Sequence, residues 1–510
     1  MSPIVVSPGV YTTERDFSLY VPALSTSIFG IVTTASKGPI NERTLITDEA
    51  SLVATFGNPS VDHQGLYAAQ RYLREGRQLI VVRVGTYYQT ASDLTVHNAA
   101  ATVDTLTISI PDDAGPGTWA NSISVVIAAG SIQGYRLTIM DGVYTVGVYD
   151  NLLLGTANES DANFIETRIN GVSDYIAVEQ IAMAQTTLEA GTFSFSGGLN
   201  GAPADDSDII GLVNTPPTIP STGLQLFRNP EYVDVNLLAV PGYPWRTVIA
   251  ELLSICEVRG DCMCLLEVPA DKTVQEAVDW HNGTGGGATD PTAALNSSYG
   301  ALYYPWVTVY DSLADAEVEI SPVGHAAQVI ARTDYNTETW YAPAGLNRGM
   351  LRDVLSIEHS ATQGERDYMY GPGNAVNPIV NFSGIGIAIW GQRTLQRAPT
   401  ALDRINVRRL LLYMRKVIAT SVNYLLFEPN DEATWQRFVD LVEPVCRSIM
   451  ARRGVTGFQV ICDETTNTAA TIARNEMHGK ILIQPTRTAE MIVCEFVLLP
   501  SGASFAEFVA

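Results

Sequence analysis

The sequence is short of cysteine, histidine, basic residues and long apolar runs. Six cysteines in 510 residues are too few for a disulfide scaffold. They lie at 256, 262, 264, 446, 462 and 494, mostly in apolar stretches, where a free thiol packs as a small hydrophobe. No run of 18 or more uncharged apolar residues occurs, so no direct membrane insertion is expected. The first residues lack a basic region followed by an apolar core, so no secretory signal is read. Lys and Arg number 31 against 54 Asp and Glu, a net charge of −23. Residues 1–390 carry 17 basic against 42 acidic groups, while residues 391–510 carry 14 against 12. An acidic bulk repels a phosphate backbone, and no nucleic-acid partner is expected.

Catalytic patterns are missing as well. There is no G-x-S-x-G elbow, no phosphate-binding G-x-x-x-x-G-K-[ST] and no H-E-x-x-H. "SGIGIAIWG" has its glycines in the wrong order for a dinucleotide loop, and "GTGGG" reads as a flexible loop. Cys262 and Cys264 share one face of a strand with no His or Cys cluster nearby, which is core packing and not a metal site. His281, His325, His359 and His478 are scattered, and "DETTNT" lacks the alternation of a calcium loop. No cofactor or metal is expected.

What is present is an α/β (α+β) multidomain pattern. Residues 1–20 read as an extended arm and residues 21–86 as a small α/β segment. Residues 87–200 are poor in charge and rich in Thr, Ser and Gly, with strands such as "DTLTISIP" and "SISVVIAAG"; they read as a β-rich insert. Residues 201–380 return to strands alternating with helices, the pattern of a mainly parallel or mixed sheet. Residues 381–510 read as a C-terminal α/β domain. In it, Thr400 with Asp403 resembles a capping box ahead of a long helix. Val407, Leu411, Met414, Ile418 and Val422 fall on one face of that helix, and Arg404, Arg408 and Arg415 on another. Trp435, Phe438, Val442, Val445 and Ile449 predict a second helix with a buried stripe, kinked at Pro444 and ended by Gly454. Strands follow at "GFQVICD", "GKILIQP" and "EMIVCEFVLLP".

The last strand, in a C-terminal arm at about 490–500, is nearly unbroken apolar residues. "IVVSPGVYTTERD" near the start is its counterpart. Open apolar strands are aggregation hazards unless another strand covers them. Each could complete a sheet in its own molecule or in a neighbour.

Several stretches together carry a family resemblance. "SPGVYTTERD", "SKGPINERTLITDEASLVATFGNP", "GPGTWANSISVVI", "WGQRTL", "INVRRLLLYMRKVI", "FEPNDEATW" and "GFQVICDETTNT" resemble the contractile tail sheath proteins of bacteriophages and related injection machines. Ala120 stands where the family's turn usually has glycine. The resemblance implies a structural protein of a viral tail, found in the virion and assembled in the host cytoplasm. It implies a helical homo-oligomer of stacked six-membered rings around an inner tail tube protein, with baseplate and tail terminator proteins as further partners. Contraction of the polymer would drive the tube through a cell envelope.

The resemblance also implies strand exchange. The N-terminal arm would include Ile4, Val5, Val6, Val10, Tyr11 and Thr12. The C-terminal arm would include Met491, Ile492, Val493, Cys494, Phe496 and Val497. The accepting strands of another subunit would include Phe458, Val460, Ile461, Ile481, Leu482 and Ile483. Arg404, Arg408 and Arg415 would face the tube. If Cys462 and Cys494 become neighbours, an intersubunit disulfide is conceivable, though a shared apolar layer fits better. Two other readings stay open at this point: an α/β hydrolase-like enzyme with an unrecognised site, and a surface-binding or adhesion module centred on residues 87–200.

Overall fold

The computed structural model describes residues 27–213, 221–284 and 294–492. The chain forms two compact units, one ending at Glu428 and one beginning at Pro429. The N-terminal arm and residues 493–500 of the expected C-terminal arm lie outside the described residues. Among the described residues no helix is long and apolar enough to cross a membrane.

The first unit is built on a nine-stranded sheet. Its strands lie in the order Met350–Leu351, Gly386–Ile389, Val376–Phe382, Gly300–Tyr304, Met263–Glu267, Leu237–Ala239, Phe29–Thr33, Leu79–Arg83 and Arg43–Ile46. The six strands from Val376–Phe382 through Leu79–Arg83 run parallel, and the strands at both margins are antiparallel. A parallel sheet must be covered on both faces, so its strands read as continuous apolar runs. The period of two sorts them. Phe29, Ile31, Leu79, Val81, Met263 and Leu265 enter one core with the helices Glu49–Phe56, Gln64–Leu73 and Val323–Asn336. Val32, Val82, Leu238, Cys264 and Leu266 enter the other with the helices Arg246–Arg259, Val274–Asn282 and Gln363–Met369.

Between the strands Leu79–Arg83 and Leu237–Ala239 the chain forms a β-rich insert. The strands Thr86–Gln89 and Leu199–Ala202 pair antiparallel at its base. Above them stand a four-stranded sheet, from Gly191–Ser194 to Tyr144–Leu152, and a three-stranded sheet, each antiparallel. They share a core of their own that includes Val96, Ile108, Val125, Leu137, Ile139, Phe164 and Ile176.

One expectation is corrected here. Thr400 does not cap the long helix: its side chain accepts from the Leu402 N–H and closes a 3-10 turn at Ala401–Asp403, and the helix runs Ile405–Val422 with Arg404 before it. The helix itself packs into the first compact unit. Ile405 and Leu412 enter the first core, Tyr413 stacks on Trp340, and Arg409 closes a buried ion pair with Asp334. These long-range partners outweigh sequence proximity, and the compact C-terminal unit starts only at Pro429.

One buried group makes the sheet sensitive to pH. Glu267 ends a central parallel strand, accepts from the Gly242 N–H at 2.6 Å, and accepts from the Ser321 hydroxyl. Burial pushes its carboxyl up to about 7 against an ordinary 4.5, although both hydrogen bonds favour the anion. Between those values the folded chain holds a proton that the unfolded chain has released, so stability falls as pH rises through the window. At about 1.36 kcal/mol per unit, the gap is of order 3 kcal/mol. Glu267→Gln should therefore raise the melting temperature relative to the parent at pH 8 and do so far less at pH 4. An equal shift at both pH values would show that Glu267 is not the titrating group.

Candidate strand-exchange site

The C-terminal unit begins with Asp431, whose carboxylate accepts from the Thr434 N–H at 2.9 Å and caps the helix Glu432–Ala451. The stripe Trp435, Phe438, Val442, Val445 and Ile449 is buried along one side of it. Pro444 sits inside the helix, where it removes one backbone donor. The helix stops short of Gly454: Arg453 takes φ of 65°, and the Gly454 N–H reaches back to the Ile449 carbonyl at 2.9 Å.

Two strands follow, Val455–Ile461 and Lys480–Pro485, paired antiparallel with Phe458 opposite Ile483 and Val460 opposite Ile481. Asn467 ties down the loop between them: its Oδ1 accepts from the His478 N–H at 2.6 Å, and its Nδ2 donates to the His478 carbonyl at 3.2 Å. Among the described residues these two strands are the whole sheet. A two-stranded sheet is marginal in water and leaves both edges unpaired.

Register decides which groups face outward. The Thr486 N–H bonds the Gly454 carbonyl at 3.1 Å, so Gln484, Leu482 and Lys480 point inward by alternation, as do their opposites Gly457, Gln459 and Ile461. Ile481 and Ile483 then point their main-chain groups out of one edge, and Phe458 and Val460 out of the other. Pro485, lacking an N–H, shortens the first edge. Of the six acceptor residues expected from sequence, Phe458, Val460, Ile481 and Ile483 point their main-chain groups to edges that are unpaired among the described residues, whereas Ile461 and Leu482 are occupied within the ladder. The side chains of those four are only half buried.

A groove of about 400 Å³ runs beside the Phe458–Val460 edge. Glu443, Arg447 and Met450 form one wall, and Phe458, Gln459 and Val460 the other. Arg447 and Glu443 form an exposed ion pair at 2.7 Å, which contributes little to stability. Burial pushes the Cys446 thiol up to about 11, aided by the Glu443 charge, and burial also raises Cys462. Both thiols are therefore protonated and poor nucleophiles at neutral pH. Among the described residues no group of three His, Cys, Asp or Glu could hold a metal.

The basic helix does not form the open cationic face expected for Arg404, Arg408 and Arg415. Arg408 is buried, donates to the Ser298 hydroxyl and lies 4.1 Å from the centre of the Tyr299 ring. Arg404 pairs with Asp403 at 2.8 Å. Arg415 is exposed, but its guanidinium reaches the Tyr299 hydroxyl at 3.2 Å. Arg409 and Lys416 pair with Asp334 and Asp234. Helical spacing put these cations on shared faces; it could not show that acids and an aromatic ring from distant segments would occupy those faces. Met491 and Ile492 of the expected C-terminal arm are 89% and 84% exposed. Val493, Cys494, Phe496 and Val497, and all six N-terminal arm residues, lie outside the described residues.

The fold and this half-built sheet define a class of protein that comparison makes specific. Residues 223–395 match the phage tail sheath protein central domain, and residues 397–498 match the phage tail sheath C-terminal domain. The chain belongs to the phage tail sheath family. It is 31% identical over 354 residues to the tail sheath protein of Enterobacteria phage T4, a match spanning 66% of this chain and 51% of that protein. It is 30% identical over 334 residues to the tail sheath protein of Vibrio phage KVP40, covering 63% of this chain and 48% of that one. The chain thus spans about half the length of the curated relatives it matches. Its fold is similar to that of a sheath protein solved in the contracted state of an extracellular contractile injection system, with a TM-score of 0.57 at 17% identity, covering 97% of this chain and 98% of that one.

The locked helix yields a test. The Arg409–Asp334 contact is 2.6 Å with both side chains buried. Asp334→Ala should destabilise the first unit by about 3–5 kcal/mol, because it strands a buried guanidinium. The double change Arg409→Met with Asp334→Leu should recover most of that loss. Thermal unfolding of the three chains reads this directly, and an undiminished melting temperature for Asp334→Ala would contradict the assignment.

Proposed function

We propose that the chain is a structural subunit of a contractile tail sheath, not an enzyme. It polymerises as stacked six-membered rings around an inner tube, and contraction drives the tube through a cell envelope. Inner tube, baseplate and tail terminator proteins are its partners, the virion its place of action and the host cytoplasm its site of assembly. The observation that carries this reading is the sheet of the C-terminal unit, which among the described residues has two strands, two open edges and a groove beside one of them.

The missing strands are present in the chain itself. Ile4–Thr12 and Met491–Val497 are apolar and β-branched, as edge-completing strands must be. An arm docked on a neighbour gains several main-chain hydrogen bonds at about 0.5–1.5 kcal/mol each. It buries three or four apolar side chains at about 1.5–3 kcal/mol each. Ordering its residues costs about 1–2 kcal/mol apiece. One arm is therefore a modest tie, and only a polymer of such ties is tough. An arm of about 20 residues reaches at most about 70 Å, enough to cross to a neighbouring subunit. Contact with the inner tube narrows to Arg415 among the three arginines, since Arg408 is buried.

Edge register supplies the experiment. Val460→Pro and Ile483→Pro each remove an outward N–H and leave the inner ladder whole. Both variants should remain folded by circular dichroism yet fail to form tubules or stacked rings in electron micrographs. Leu482→Pro, which removes an inward donor, should instead unfold the hairpin. Deletion of residues 1–16 should also abolish polymerisation without lowering the melting temperature of the remaining chain. Normal tubules from Val460→Pro, Ile483→Pro and the deletion would overturn strand exchange.

A further inference from the structure

Arg83 ends the strand Leu79–Arg83 and is completely buried, with no carboxylate paired to its side chain among the described residues. Its Nη1 donates to two carbonyls, Gly38 at 2.6 Å and Pro116 at 2.9 Å. Gly38 belongs to the central unit's framework, next to the main sheet; Pro116 belongs to the β-rich insert. The guanidinium also lies 4.4 Å from the centre of the Tyr88 ring, on the strand that enters the insert, and the Tyr88 hydroxyl donates to the Val84 carbonyl at 2.8 Å. Burying a cation without a counter-charge is unfavourable unless oxygens and an aromatic face replace its water. Both carbonyl bonds come from Nη1, while Nε and Nη2 have no hydrogen-bond partner among the described residues, so the Tyr88 face meets the rest of the cation.

The same two segments meet again around that side chain. The Gly38 N–H donates to the Ala114 carbonyl at 2.8 Å. A Cβ on Gly115 would sit 1.9 Å from the Gly38 carbonyl oxygen, and Gly115 has φ of 65°, so only glycine fits there. Lys37 lies over two insert rings, 5.5 Å from Trp119 and 5.6 Å from Tyr175. The Thr118 N–H donates to the Asn200 carboxamide oxygen at 2.8 Å, which ties the same turn to the strand leaving the insert.

We infer that residues 36–39 and 114–119 form a weld, centred on buried Arg83, that locks the insert to the central sheet so that both move as one rigid body. Without the weld, the insert would hang on the two-stranded base Thr86–Gln89 with Leu199–Ala202, which alone is a flexible ribbon. Arg83 acts here as a positioning residue. The insert then keeps a fixed orientation on its own central sheet whatever the rest of the molecule does, and its outer surfaces are presented at a set angle.

The test uses the full chain with spin labels at Val61→Cys, exposed in the central unit, and Ile132→Cys, exposed at the insert's tip, in a Cys494→Ser background. The five other cysteines are buried and stay unlabelled in the folded protein. Double electron–electron resonance should give a single narrow distance distribution for this parent. Arg83→Met and, independently, Gly115→Ala should lose it to a broad or bimodal one. Gly115→Ala attacks the weld from the insert side and leaves the buried arginine in place, so it carries the test if Arg83→Met does not fold. A broad distribution in the parent, or a narrow one retained in the folded variants, would overturn the inference.

Discussion

The described part of the C-terminal unit depends on one unmet constraint: backbone groups at a sheet edge need partners, and two strands cannot supply them all. The helix Glu432–Ala451 buries its stripe, and the apolar row Phe458, Val460, Ile481 and Ile483 lies only half covered. A protein that folded for itself would add strands or charge the edge. This one keeps an open edge with a groove of about 400 Å³ beside it. Among the described residues that edge has no partner, and it is where the proposed exchange would seat a strand.

The first unit shows the opposite economy. Its nine-stranded sheet is covered on both faces, and its buried arginines are met by carboxylates and carbonyls, several of them far along the sequence. Arg71 and His325 converge on Asp353, Arg409 meets Asp334, and Arg259 meets Asp261 and two carbonyls. Such networks contribute little net stability compared with apolar packing, but they are costly to break singly. They define one arrangement of helices on the sheet. The basic helix Ile405–Val422 is held by this network, so its charges serve the fold before they serve any partner.

The insert combines both behaviours. It has an apolar core separate from the sheet's two, as a small domain does, yet glycines, a buried arginine and a lysine bind it to the framework at a second place besides its base. Rigidity of this kind matters in a polymer, where a small angular freedom in each copy would accumulate along the assembly.

Much of this was legible in the sequence. Alternating strands and helices pointed to a mainly parallel or mixed sheet, period-3.6 spacing located the stripe from Trp435 to Ile449, and short apolar runs marked the strands around Phe458 and Ile481, because local geometry and burial repeat along the chain. The spread of family-like stretches pointed to a sheath. Other features depended on contacts no local pattern contains. The sequence placed Arg404, Arg408 and Arg415 on one helical face, but Tyr299 and Ser298, more than a hundred residues away, determine that Arg408 is buried. It suggested that strands near residues 458 and 481 accept others, but only their register shows that Phe458, Val460, Ile481 and Ile483 face outward while Ile461 and Leu482 do not. Periodicity is a property of neighbours along the chain; partnership between distant segments, and the direction in which a backbone group points, exist only once the chain has closed on itself.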